Sequence, residues 1–173
     1  MREMKNTKRI IQFLVAGMLL LTGCESKIIG GLKDDTPVYK IPSITAHLDA
    51  TGSPNIQISN LSGFSGKVIL DRYFKDQPGP DKVDLVVRKN LANGSAVKVV
   101  QADITTFPTT VTVTAAQIQS LFGELKVGDN YDFAPDLYTK DGKFEAFPSR
   151  GPGNANSVSG GPEFSSFARF TVR

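Results

Sequence analysis

Tryptophan is absent from this chain, and cysteine and histidine occur once each, at Cys24 and His47. Without a second thiol no intrachain disulfide forms, which excludes a disulfide framework. Zinc lacks a ligand set. The one histidine stands in the run Ala46-His47-Leu48 and reads as a structural or solvated strand residue rather than a general base. No serine sits in a nucleophile-elbow context, so serine–histidine and cysteine–histidine mechanisms lack a set of players. The acids cluster twice in sequence, as Asp76, Asp81 and Asp84 and as Asp129, Asp132 and Asp136. Neither group matches an EF-hand loop, and both read as solvated turn acids. Glycoside hydrolysis needs two carboxylates facing one another, a pairing that spacing alone does not disclose. The glycine-rich pieces "GPG" and "SGG" lack the Lys-Ser/Thr and the strand–loop–helix context of a phosphate cradle. The expectation is a protein that is not an enzyme, with no cofactor and no metal.

Long apolar runs are also scarce. One stands near the N-terminus, Ile10 to Leu21, interrupted only by Gln12 and preceded by Arg2, Lys5, Lys8 and Arg9. It is too short to span a bilayer comfortably and ends in small residues, the layout of a signal peptide over residues 1–23. The tetrad Leu21-Thr22-Gly23-Cys24 resembles the bacterial lipobox, which implies that Cys24 is lipidated and becomes the first residue. Two or more acyl chains anchor a protein stably where one holds it only marginally, so the membrane is the first expected partner. The excess of basic residues belongs to this leader. Of 20 Lys+Arg and 17 Asp+Glu, four bases and one acid (Glu3) precede Cys24, leaving 16 of each sign after it. A neutral body gives no electrostatic footprint for nucleic acid.

Residues 24–42 mix Gly, Lys, Asp and Pro without periodicity and read as a linker. Over residues 43–173 the signals are short β-type runs separated by turn clusters. In "KVDLVVRK", Val83, Leu85 and Val87 share one face while Asp84 and Arg88 take the other. Asn93-Gly94 predicts a hairpin turn, and "TTVTVT" is a strand of β-branched residues. One helix interrupts: Thr114 and Gln117 fit a capping box, Ile118, Leu121 and Phe122 form its core face, and Gly123 ends it. In "YDFAPDLYTK", Tyr131, Phe133 and Leu137 share a face, and Pro135 points to an edge strand or bulge. Ala168, Phe170 and Val172 face inward on the last strand. Seven to nine short strands and one short helix predict an all-β, two-sheet antiparallel sandwich of immunoglobulin or fibronectin III type.

Two features are candidates for binding. The segment 149–163 lacks secondary-structure signals, and its Asn154, Asn156, Ser157 and Ser159, with Arg150 at the base, suit a hydroxyl-rich ligand such as a polysaccharide. Tyr73, Tyr138 and Phe167 fall on faces opposite their strands' core residues, where sugar rings stack on aromatic faces.

The mature chain as a whole is similar to the small outer-membrane lipoproteins of Bacteroidota that accompany starch-utilisation-type (Sus) uptake systems. The residues that carry this resemblance are the lipobox at Cys24, the linker piece "KDDTP", and "DKVDLVV", "ITTFPTTVTVTAAQI", "VGDNYDF" and "DGKFEAF". It implies an Ig-like domain and a non-catalytic accessory of glycan or nutrient uptake. It further implies lipid anchoring in the outer membrane, exposure at the cell surface, and a Sus-type transporter and binding-protein pair as partner. The alternative is a structural or adhesive surface module that contacts other proteins by sheet-edge pairing.

Overall fold

The computed structural model describes residues 42–150 and 167–173. The leader, Cys24, the linker up to residue 41, and Asn154 and Asn156 lie outside the described residues. The body is a two-sheet β-sandwich. Its elements are β1 (Ile44–Leu48), β2 (Asn55–Ile56), β3 (Ser65–Arg72), β4 (Lys82–Lys89), β5 (Lys98–Ile104), β6 (Thr109–Thr114), α1 (Ala115–Phe122), β7 (Asn130–Thr139), β8 (Gly142–Phe144) and β9 (Ala168–Val172). The smaller sheet has the order β1-β3-β6. The larger runs β2-β9-β7-β4-β5, with β8 also paired to β7. The chain crosses between the sheets from β1 to β2, from β2 to β3, from β3 to β4, from β5 to β6, and through α1 to β7.

Alternation decides what each strand buries. Val68 and Leu70 of β3, Val111 and Val113 of β6, and Val83, Leu85 and Val87 of β4 all point into the interlayer core. They meet Tyr131, Phe133 and Leu137 of β7 and Ala168, Phe170 and Val172 of β9. Each fully buried large side chain stabilises the fold by about 1.5–3 kcal/mol relative to an exposed one. Phe170 lies at the centre, edge-on to Phe64 (5.3 Å between centroids) and to Phe133 (5.5 Å). Gly66 faces this trio. A β-carbon there would stand 2.5 Å from the Phe170 ring and 2.7 Å from that of Phe64.

The helix forms as its caps predict. Thr114 Oγ1 accepts from the Gln117 amide, and Gln117 Oε1 accepts from the Thr114 amide at 2.8 Å. Gly123 closes the C-terminus at φ +79°, a conformation that a β-carbon disfavours. Ile118 is buried, with Leu121 and Phe122 half-buried against the core.

Three local expectations need correction. Asn93-Gly94 is not a two-residue hairpin turn: Asn93 is extended and only Gly94 has positive φ. The tight turn lies earlier, where Asn90 (φ +49°) and Leu91 (φ +65°) bring the Ala92 amide to the Lys89 carbonyl at 3.0 Å. Tertiary bonds select that position, because the Asn90 amide also donates to the Asn130 carbonyl and the Gly94 amide to the Phe147 carbonyl.

Pro135 belongs to the most central strand rather than to an edge. The Asn90–Asn130 bond makes even-numbered β7 residues exchange bonds with β4, so the Pro135 nitrogen faces the opposite side. There β9 pairs residues 130–133 and β8 pairs 137–139, so that among the described residues position 135 lies between them with no ladder to interrupt. Finally, the sandwich is not wholly antiparallel. β2 pairs parallel with β9, while the other strand pairings are antiparallel.

Gly66→Ala is expected to lower unfolding stability by about 1–3 kcal/mol through overpacking, and Thr114→Ala by about 1 kcal/mol through loss of the cap. Urea denaturation with an unchanged m-value checks both.

Candidate functional site

The second face of the larger sheet is where sequence and structure diverge most. Both acid clusters are read from sequence as solvated turn residues. Asp76 and Asp81 are exposed, as that reading requires. Asp132, Asp136, Asp84 and Asp129, however, are only 1%, 5%, 7% and 8% exposed. The first three project from β7 and β4 on the side away from the core. The register places Asp84 opposite Asp136, Val86 opposite Ala134, Arg88 opposite Asp132, and Arg169 of β9 beside Asp132. The segment after β8 covers them, with Ala146, Phe147 and Phe167 packed on Val86 and Ala134 as a second apolar cluster.

Each buried carboxylate is engaged. Asp132 Oδ2 accepts from Arg88 Nε at 3.0 Å and from an Arg169 terminal nitrogen at 3.0 Å, while its Oδ1 accepts from Arg169 Nε at 2.6 Å. The Arg88 guanidinium also donates to Asn93 Oδ1 at 3.0 Å and lies 4.2 Å from the Phe147 ring centre. The Arg169 guanidinium lies 5.0 Å from that of Phe167. Delocalised, weakly hydrated guanidinium suits a place that demands both a bidentate carboxylate partner and an aromatic one.

Asp136 accepts from Lys143 Nζ and from the Ala146 amide, both at 2.8 Å. Burial pushes its carboxyl above the usual Asp range, outweighing Lys143 and that amide. Asp84 accepts from the Tyr138 hydroxyl and the Asp103 amide, both at 2.9 Å. Burial first, and then donation to Asp84, push the Tyr138 phenol up. Asp129 lies beyond this row. Burial alone would raise it, but Lys89, Asn90 and the Lys126 amide together hold it below the usual range.

The facing acids Asp84 and Asp136 are therefore two separately occupied acceptors under a lid of side chains. Chemically the face is a closed ion-pair and aromatic lattice. Among the described residues no group of three or more His, Cys, Asp or Glu is placed to hold a metal ion, and no helix is long and apolar enough to cross a membrane.

The predicted binding residues do not converge. Tyr138 and Tyr73 lie toward the end where β3 leaves and β4 begins, since the Tyr73 amide donates to the Ser43 carbonyl and the Asp81 amide to the Tyr138 carbonyl. The Tyr138 ring is flanked by Lys82 and Lys143, 4.6 and 5.7 Å from its centre. Tyr73 is exposed and stands edge-on to Phe74 at 4.9 Å. Phe167 packs against Ala134, four β7 positions from Tyr138 and roughly 13 Å along the strand, in the arginine cluster. Arg150 ends the covering segment, and its neighbours Asn154 and Asn156 lie outside the described residues. His47 is exposed on β1.

An open depression of about 540 Å³ lies at the other end, lined by Lys89, Asn90, Ala92, Ala96, Lys98, Leu121 and Phe122. None of the predicted ligand residues lines it. It is assembled from α1 and the β4–β5 connection, and its only sequence signal is the partly polar turn "NLANGSA". Comparison with protein-family models, with characterised proteins and with solved structures finds no match to this chain.

Two substitutions separate the roles of the buried acids. Asp132→Asn strands two guanidiniums and is expected to cost about 3 kcal/mol. Asp136→Asn keeps an acceptor for the Ala146 amide and is expected to change stability by less than about 1 kcal/mol at pH 7. Because the Asp136 value is raised, its contribution favours the fold at low pH and is lost as pH rises through that value. Wild type and Asp136→Asn should therefore converge as pH falls, whereas the Asp129 contribution is present above the unfolded value and lost on acidification. Urea unfolding at about pH 7, pH 5 and pH 3 spans both windows, because the Asp129 contribution is lost only below the ordinary Asp value of about 3.9. Equal losses for the two Asn variants at pH 7 would contradict these assignments.

Proposed function

We propose that this chain is a lipid-anchored, non-catalytic binding or scaffold protein of the outer membrane, accessory to glycan or nutrient uptake. The observation that carries this reading is the tetrad Leu21-Thr22-Gly23-Cys24 directly after a short apolar run. It supplies a lipid attachment point and accounts for a solitary cysteine. Support comes also from the sandwich. Its order β1-β3-β6 facing β9-β7-β4-β5 is consistent with an immunoglobulin or fibronectin III-like module. Its buried carboxylates each hold a structural partner rather than an open cleft. In this reading Phe167 with Arg169 belongs to the polysaccharide-facing surface. Tyr73 offers a separate exposed ring, and Tyr138 serves the Asp84 network.

A second reading, a structural surface module that contacts other proteins, is favoured by one observation. β6 ends its sheet and contains no charged residue.

Cells making the full chain and fed labelled palmitate test the anchor. The wild type is expected to take up label and sediment with membranes, while Cys24→Ala takes up none and shifts to the soluble fraction. A Cys24→Ala form that stays membrane-bound removes the basis of the reading. For the ligand, affinity gels containing neutral polysaccharides are expected to retard the wild type. Phe167→Ala should weaken retention up to about tenfold and Tyr138→Phe should leave it unchanged.

A further inference from the structure

Sheet edges present unpaired amides and carbonyls, and folded proteins blunt them with short strands, charges or bulges. Among the described residues four strands end the two sheet orders, and three of them follow that rule, as does the three-residue β8 beside β7. β2 has two residues. β5 has register shifts against β4, carries Lys98 and Asp103, and holds Asp103 at φ +57°. β1 has five residues and includes His47. The fourth, β6, has none of these devices. Thr109–Thr114 pairs with β3 over six consecutive positions without a shift, and it contains no charge, proline or glycine.

The orientation of its free bonds follows from the neighbouring strands. The Asp49 amide donates to the Lys67 carbonyl, so odd-numbered residues of β3 exchange bonds with β1 and even-numbered ones with β6. Through the register Val68↔Val111, Val111 and Val113 bond to β3. Thr110 and Thr112 turn their amides and carbonyls to the open side. No hydrogen bond among the described residues engages those groups.

We propose that β6 pairs antiparallel with β6 of a second copy of this chain, across a two-fold axis at Thr112. The reason for choosing a second copy is that residues 110–114 read Thr-Val-Thr-Val-Thr, a palindrome. Centred on Thr112, antiparallel pairing sets Thr112 against Thr112, Val111 against Val113 and Thr110 against Thr114. Valines meet on the core side and threonines on the outer side, so the core faces of the two sandwiches run on into one another. Thr112 exchanges two bonds with its own copy. The flanking Thr110–Thr114 positions add no ladder bond, because the Thr114 amide stays with Gln117 and its carbonyl, as the N-cap of α1, accepts the first bond of the helix.

Nothing electrostatic opposes this arrangement. Lys67, the charge in register with Thr112, would stand about 14 Å from its own copy across three strand spacings, beyond a Debye length of about 8 Å. Pairing through one strand buries little area, so the dimer is weak and exchanging. It is independent of any glycan ligand.

Single cysteines introduced into the full chain test the register in membranes treated with diamide, with the wild type, whose one cysteine is Cys24, as the control. A hydrogen-bonded antiparallel pair holds Cα atoms about 5.5 Å apart, within disulfide range. Thr112→Cys is expected to give a band at twice the chain mass that added thiol returns to monomer. Thr110→Cys, about 13 Å from its own copy, and Gln101→Cys on β5 should stay monomeric. Co-purification of two differently tagged copies gives a reading without new thiols. Thr112→Pro removes only an outward amide and should abolish it by more than tenfold. Thr112→Lys, which keeps the strand's torsions, should weaken it, and Gln101→Lys should leave it intact. Failure of Thr112→Cys to cross-link, cross-linking at Gln101→Cys instead, or tagged copies that never co-purify each overturns the proposal.

Discussion

The β4–β7 pair is buried on both faces, and the rest of the domain is arranged around that constraint. Eight consecutive residues of β4 lie against β7 without a break. Odd positions send Val83, Leu85, Val87, Tyr131, Phe133 and Leu137 into the interlayer core. Even positions send Asp84, Arg88, Asp132 and Asp136 to the other side, where the segment after β8 closes over them. A buried carboxylate without partners is expensive, so every element that touches this face brings donors. β9 supplies Arg169, the β8 segment supplies Lys143 and the Ala146 amide, and β5 supplies the Asp103 amide. The polar lattice therefore aligns the covering segment as much as the apolar contacts do.

That arrangement separates two kinds of surface. The outer face of the larger sheet is internally satisfied, and what it shows to solvent is its margin, where Phe167 and Arg169 meet. The smaller sheet is simpler. It buries valines and leucines on one side, exposes threonines on the other, and ends at β6, where the outward amides and carbonyls of Thr110 and Thr112 meet no partner among the described residues. A binding role fits the margin of the first surface and self-association fits the edge of the second, so the two need not compete for residues.

Signals confined to a few neighbouring residues were legible. The Thr114–Gln117 box, the Gly123 cap, and the alternation of Val83, Leu85 and Val87 or of Ala168, Phe170 and Val172 all appear where the pattern places them. Signals that depend on a distant partner misled. Asp132 resembles a turn acid because nothing nearby in sequence announces Arg88, 44 residues away, or Arg169, 37 residues on. Pro135 resembles an edge marker because its tolerance depends on a gap between β8 and β9. Asn93-Gly94 loses its turn to Asn90-Leu91 because Asn130 and Phe147 hold the surrounding backbone. The Phe122 depression left almost no trace, since its walls come from elements far apart along the chain.

By itself the sequence determined the all-β character, the position of the helix, which face of each strand turns inward, and the lipidation signature that frames the proposed address. These rest on side-chain periodicity and capping, which act over one to four residues. Only the tertiary structure decided which strands are neighbours, which charges are buried, and which edge is left open. Backbone amides and carbonyls are nearly the same at every position, so a strand's own residues specify a face but not a partner.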